Sequence, residues 1–254
     1  MAVEKEEYFE NDELKIYRGE DFVVSKYIKI HQPTLGEICD FGEQNYYSMV
    51  HTFAATPQSM KSQLWDMSID YTEITPYELF YSKLYRIFPI EKTSIIFGDL
   101  DFSKFKLRQR IDDKSILLYQ EINGESVVID EYTYSIIIDY LCKSHFIERD
   151  LKIPANNSTK MILIEDAKEE IKRNKDKPYH SQLKNLISTL VNSEGFKYNH
   201  EQVWDMKINA FMDSVKRIGK IKNAQLLLQS GYSGFGINLK DIDKKQLDWL
   251  GELD

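Results

Sequence analysis

The sequence is poor in several features that mark specialised chains. Its 254 residues include two cysteines, Cys39 and Cys142. Two thiols cannot build a disulfide framework, and they read as the reduced side chains of a cytosolic protein. Basic charge is in deficit: 33 Lys and Arg stand against 41 Asp and Glu, for a net charge of -8. A dedicated nucleic-acid binder needs a basic field that displaces counterions from phosphates, and this balance runs the other way. No apolar run reaches the roughly 18 residues of a membrane span. The best stretch, Ser135 to Cys142, is short and contains Asp139. The start, MAVEKEEYFENDELK, is acidic and lacks the apolar centre of a signal peptide. No internal repeat or low-complexity tract is evident, and no catalytic signature stands out.

What the chain does have is apolar mass. Hydrophobic residues make up 42%, too many for a disordered chain, and there are 13 Phe, 16 Tyr and 3 Trp. So many rings imply a sizeable core, or apolar surface that meets a partner. The length permits one large or two modest domains.

Local patterns indicate an α+β chain, a predominantly helical body carrying a small antiparallel β-rich insertion or wing. Residues 13–32 read as extended, with one or two short strands through Val23, Val24, Ile28 and Ile30. Thr34 with Glu37 and Thr75 with Glu78 have the spacing of capping boxes, in which hydroxyl and carboxylate satisfy each other's backbone N–H groups. Thr56-Pro57 reads as a further helix start. From Ile90 the pattern turns towards period two: Thr93 to Phe97, a basic stretch with Phe102, Phe105 and Leu107, and two runs flanking Asn123-Gly124, a strong hairpin signal. Helices are expected over 131–144, 159–174 and 179–191. Asn199 and Gln202 would start another, in which Trp204, Ile208, Phe211, Val215 and Ile218 form a heptad-like seam ending near Gly219 or Gly231. The expected blocks are 1–89, N-terminal strands and capped helices; 90–153, the β-rich insertion with one helix; and 154–254, the C-terminal helical part.

The candidate chemistry is thin. Gly231 to Gly236 lacks the Gly-Lys-Ser/Thr of a phosphate loop and the G-x-S-x-G of a nucleophile elbow, so it reads as a helix cap and turn. His200-Glu201 lacks the second histidine of a zinc-protease helix, because Trp204 stands there. His31, His51, His145 and His180 have no ligand-spaced neighbours. Cys142 and His145 could form an activated thiol pair, but the apolar stripe around Cys142 favours an inert buried thiol. Asp99 with Asp101, and Asp241 with Asp243, read as turn and cap residues. Lys104, Lys106, Arg108 and Arg110 alternate with Phe105 and Leu107, so a strand would place four cations on one face. A solvated sheet face or contact with an acidic partner is favoured over nucleic acid. The expectation is a protein that is not an enzyme and takes no cofactor or metal. The Trp204-to-Ile218 seam and Trp249 read chiefly as core packing, with part of the seam or the C-terminal tryptophan docking a partner as the sharper reading; the candidate partner contacts are Trp204, Phe211, Val215 and Trp249, which line or support an apolar surface, and Lys104, Lys106, Arg108 and Arg110.

Two stretches carry a family resemblance. One is Ile28-Lys29-Ile30-His31-Gln32-Pro33-Thr34-Leu35-Gly36-Glu37-Ile38, running on to Gln63-Leu64-Trp65-Asp66-Met67; the other is Ala210-Phe211-Met212-Asp213-Ser214-Val215-Lys216-Arg217-Ile218, running to Leu247-Asp248-Trp249-Leu250-Gly251-Glu252-Leu253. Together they resemble tail-module proteins of phages and prophages of Gram-positive bacteria, nearest to the tail assembly chaperone group. The resemblance implies a non-enzymatic chaperone in the host cytoplasm, holding the helical tape measure protein, or other tail proteins, until the tube assembles around it. Self-association is a further partnership to consider, and no membrane is implied. The alternatives are a structural virion component, such as a connector or baseplate subunit, and an enzyme with an unrecognised site.

Overall fold

The computed structural model describes residues 13–232, 238 and 242–253. Its architecture is α+β and dominated by helix. A short helix, α1 (Glu13–Tyr17), precedes two paired two-residue strands, β1 (Phe22–Val23) and β2 (Lys29–Ile30). The two strands agree with the sequence reading, whereas residues 13–17 are helical rather than extended.

Helix α2 (Leu35–Phe41) carries the Thr34–Glu37 capping box in full: the Thr34 hydroxyl accepts from Glu37 N–H and the Glu37 carboxylate accepts from Thr34 N–H. Gly42, at φ 96°, then redirects the chain into α3 (Glu43–Phe53), a backbone setting that suits glycine. Pro57 lies in a turn, so the next helix, α4 (Lys61–Asp66), starts later than Thr56-Pro57 suggested. The Thr75–Glu78 box opens α5 (Pro76–Leu79), which continues as one π turn and one 3-10 turn to Ile87.

Residues 93–97 correct the sequence reading. They lie in a helix, α6 (Ile90–Phe97), which begins after Pro89 and ends at Gly98. The run Thr-Ser-Ile-Ile-Phe has strand-forming composition, but tertiary packing decides: Thr93, Ile96 and Phe97 are buried, and Ile96 C=O accepts from His31 N–H beside β2. The sheet that follows is β3 (Lys106–Gln109), β4 (Ile116–Ile122) and β5 (Glu125–Ile129), antiparallel in the order β3-β4-β5. The β4–β5 hairpin turns on Asn123 and Gly124, both at positive φ (52° and 80°), as the Asn-Gly pair predicted. Helix α7 (Glu131–His145) starts on an Asp130 cap.

The C-terminal part holds α8 (Asn157–Asn174), α9 (Gln182–Val191), the long α10 (Ile208–Tyr232) and α11 (Lys244–Leu247). Asn199 and Gln202 do bond reciprocally, but they cap a 3-10 turn (Gln202–Asp205) rather than the long helix. The heptad-like seam is therefore broken. Trp204 sits in that turn, the chain runs extended past Met206, and Lys207 bridges Thr34, with Leu35 N–H donating to Met206 C=O and Ile208 N–H to Pro33 C=O. The helix then runs through Gly219 and Gly231 without interruption. Residues 233–236 of the Gly-rich loop, and Asp241, lie outside the described residues.

The core is a nest of rings. Phe53 stacks on Phe88 at 4.0 Å, meets Phe102 edge-on at 5.0 Å, and lies 5.2 Å from Phe97 and 5.9 Å from Phe80. Tyr134 of α7 joins through Phe80 and Tyr77. One continuous apolar cluster extends from Ile16 to Phe211.

Candidate interaction surface

Trp204 borders an apolar groove of about 360 Å³ between α2 and α9, lined by Leu35, Leu183, Ile187 and Val191. Two features place its walls. Gly36 lets α2 approach the 3-10 turn: a Cβ there would stand 3.3 Å from Trp204 C=O. Glu43 of α3 caps α9 from outside, its Oε1 accepting from Gln182 N–H at 2.9 Å and Leu183 N–H at 2.8 Å, while Ser181 takes Lys184 N–H. Burial pushes the Glu43 carboxyl up, but hydrogen bonds from Leu183, Ser181, Tyr179 and Gln182 outweigh it and hold it below its ordinary value. Sequence reading missed Glu43, which looks like any acid in a helix's first turn; its role depends on a partner about 140 residues away.

The other assigned apolar residues are scattered. Phe211 is completely buried and belongs to the core. Val215 is half-buried on α10. Trp249 is 45% exposed and its neighbour Leu250 is 75% exposed, so neither is sunk into the body. The segment bearing them is held by its backbone: Arg217 Nη1 donates to Trp249 C=O and Gly251 C=O, each at 2.8 Å, and Lys220 donates to Glu252 C=O. Residues 252–253 also line an open cavity of about 810 Å³, together with α1, α10 and the chain from Lys143 to Glu148. Asp213 lines this cavity, and burial raises its carboxyl pKa against the opposing pull of Arg217 and Tyr17.

The four basic residues do not form one row. Only Lys106 and Arg108 belong to β3 and share a face; Lys104 lies in a 3-10 turn and Arg110 follows the strand. Lys104 pairs with Asp101 at 3.3 Å and Arg110 with Asp130 at 2.9 Å. The Arg108 guanidinium lies 5.0 Å from the centre of the Tyr119 ring.

The thiol and imidazole candidates have structural roles. Cys39 and Cys142 are both free, and burial pushes the Cys142 thiol up to about 11, away from a reactive thiolate. His145 is buried, with its Nδ1 2.8 Å from Leu141 C=O and its Nε2 beside the Tyr46 hydroxyl. The carbonyl calls for a proton on Nδ1, and Nε2 then accepts from Tyr46, which is a neutral ring. Burial, the leading cause, lowers its pKa to about 4. Among the described residues no group of three or more His, Cys, Asp or Glu could hold a metal ion, and no helix is long and apolar enough to cross a membrane.

Residues 151–254 match the family model described as the YomV second domain. YomV is a Bacillus phage or prophage protein, and the match supports a phage-related origin for this chain. No curated protein and no solved structure matches it.

Proposed function

We propose that the chain is a non-enzymatic phage tail assembly chaperone that binds the tape measure protein in the host cytoplasm during tail morphogenesis. The match of residues 151–254 to a phage or prophage protein carries this reading, together with the resemblance to tail-module proteins. The physical support is the apolar groove beside Trp204 and the exposed Trp249 and Leu250. A groove of this kind suits the apolar face of an amphipathic helix, and a net charge of -8 favours solubility of a complex with an aggregation-prone partner. Trp204 and Trp249 are the contact residues, and Phe211 anchors α10 in the core.

Co-expression with the tape measure protein encoded alongside it tests the reading. The expected result is a soluble complex that the double variant Trp204→Ala/Trp249→Ala loses while remaining folded. A tape measure protein that stays soluble alone and forms no complex would refute it. Mass spectrometry of purified particles distinguishes the virion-component alternative: a chaperone is absent from them, whereas a connector or baseplate subunit is present at fixed stoichiometry.

A further inference from the structure

We infer that the outer edge of β3 receives an extended segment of an acidic protein partner by strand addition. The inference rests on reading the chain as a protein-binding protein, but not on the partner being the tape measure protein. β3 is the outer strand of the order β3-β4-β5, and among the described residues no strand lies on its other side. Its pairing shows which backbone groups are available. Arg110 N–H donates to Ser115 C=O at 2.8 Å, and the register pairs Arg108 with Leu117 and Lys106 with Tyr119. In an antiparallel ladder, bonded pairs alternate, so Arg110, Arg108 and Lys106 bond inward to β4 while the N–H and C=O groups of Leu107 and Gln109 point outward.

Charge selects the occupant. All four β3 residues are exposed. Lys106 and Arg108 project from one face, and among the described residues neither has a carboxylate partner, whereas Lys104 and Arg110 are already paired. The Tyr119 ring holds Arg108 on that face. A groove of about 640 Å³ continues from the strand, with Arg86, Lys104 and Lys106 on its rim against Glu121. An added strand with carboxylates at alternate positions would bond Leu107 and Gln109 through its backbone and meet Lys106 and Arg108 through its side chains. A second copy of this chain does not fit. Antiparallel self-pairing through the outward groups sets Lys106 against Arg108, or Arg108 against Arg108, in its two central registers, and like charges directly opposite repel. Short length and a lysine also protect an edge from promiscuous pairing, so the inference requires acidic sequences to be admitted and others refused.

The test is fluorescence anisotropy of the full chain with a labelled octapeptide of alternating Val and Glu. The expected result is saturable binding that falls at least about tenfold when Lys replaces Glu in the peptide, and by a similar factor in Lys106→Glu/Arg108→Glu. Leu107→Pro removes one outward N–H without touching the inward ladder, and it abolishes binding. If that variant fails to fold, a peptide N-methylated on its pairing edge makes the same cut from the partner's side, and it too must not bind. Equal binding of the Glu and Lys peptides, retention by the edge-blocked form, no binding of the Glu peptide, or a β3-dependent dimer in sedimentation overturns the inference. So does full displacement of the peptide by an equally charged oligothymidylate, which would reassign the edge to nucleic acid. Failure of co-expression with the tape measure protein leaves these outcomes readable on their own.

Discussion

The two halves of the chain are held in different ways. In α7, seven of 15 residues are buried, and its Tyr134 reaches the Phe53, Phe80 and Phe102 ring cluster. In α8 only Ile164 of 18 is buried, and in α10 four of 25. The C-terminal part joins the same apolar cluster through residues such as Ile164, Leu183, Ile187, Ile208 and Phe211, and it adds a set of polar clamps. Lys160 reaches Asp70 at 2.6 Å, Lys168 reaches Asp66 at 3.0 Å, Glu43 caps α9, and Arg217 clasps the terminal segment. Packing of apolar rings is insensitive to charge state but intolerant of voids. Clamps tolerate small changes in shape but depend on ionisation and on both partners being present. In the region matching the YomV second domain, directional bonds thus supplement apolar packing that is sparser along α8 and α10 than along α7.

The largest expected break in this contrast is Phe53→Ala. It removes a ring with 0% exposure from the centre of four others and is expected to destabilise the fold by about 3–5 kcal/mol, read as a lower urea midpoint. Acid is expected to act next, and on the same half. The folded pKa of His145, about 4, lies below the ordinary value of 6.5. The unfolded chain therefore takes up the proton first, and stability present above pH 6.5 is lost as pH falls towards 4. Between pH 7 and pH 5 this amounts to about 2 kcal/mol, and His145→Phe should flatten the dependence in that window. The clamps persist to lower pH. Its hydrogen bond with Lys160 leads the causes that hold Asp70 at about 2, so its contribution is lost only as pH falls from about 4 towards 2. The smallest effect is expected from Glu43→Ala, which frees two N–H groups at the start of α9 and costs about 1–2 kcal/mol. Amide exchange should show the loss in α9 while α7 is unchanged, and Glu43→Gln, which keeps an acceptor oxygen, should restore part of it.

Local grammar made much of this fold legible. Thr34 with Glu37, Thr75 with Glu78 and Asn123 with Gly124 act within three or four residues, and each does in the structure what its spacing predicted. The failures were non-local. Residues 93–97 have strand composition, yet they pack as a helix beside β2. The Trp204-to-Ile218 spacing spans a break, because Lys207 is drawn into a bridge with Thr34 from the other end of the chain. Candidate contacts fared similarly. The cations at 104–110 were visible as residue types, but their division into the paired Lys104 and Arg110 and the open Lys106 and Arg108 depends on Asp101 and Asp130. Neither Glu43 at α9 nor Arg217 at residues 249 and 251 had a sequence signal, since each meets backbone groups far along the chain.

Native-state hydrogen exchange in increasing denaturant tests the contrast most directly. The account predicts that amides of α8 and α9 exchange through a partial opening whose free energy lies below that of α7, and that the gap widens when Lys160→Ala is combined with Glu43→Ala. A single isotherm, with α7, α8 and α9 opening together in both the parent chain and the double variant, would contradict it.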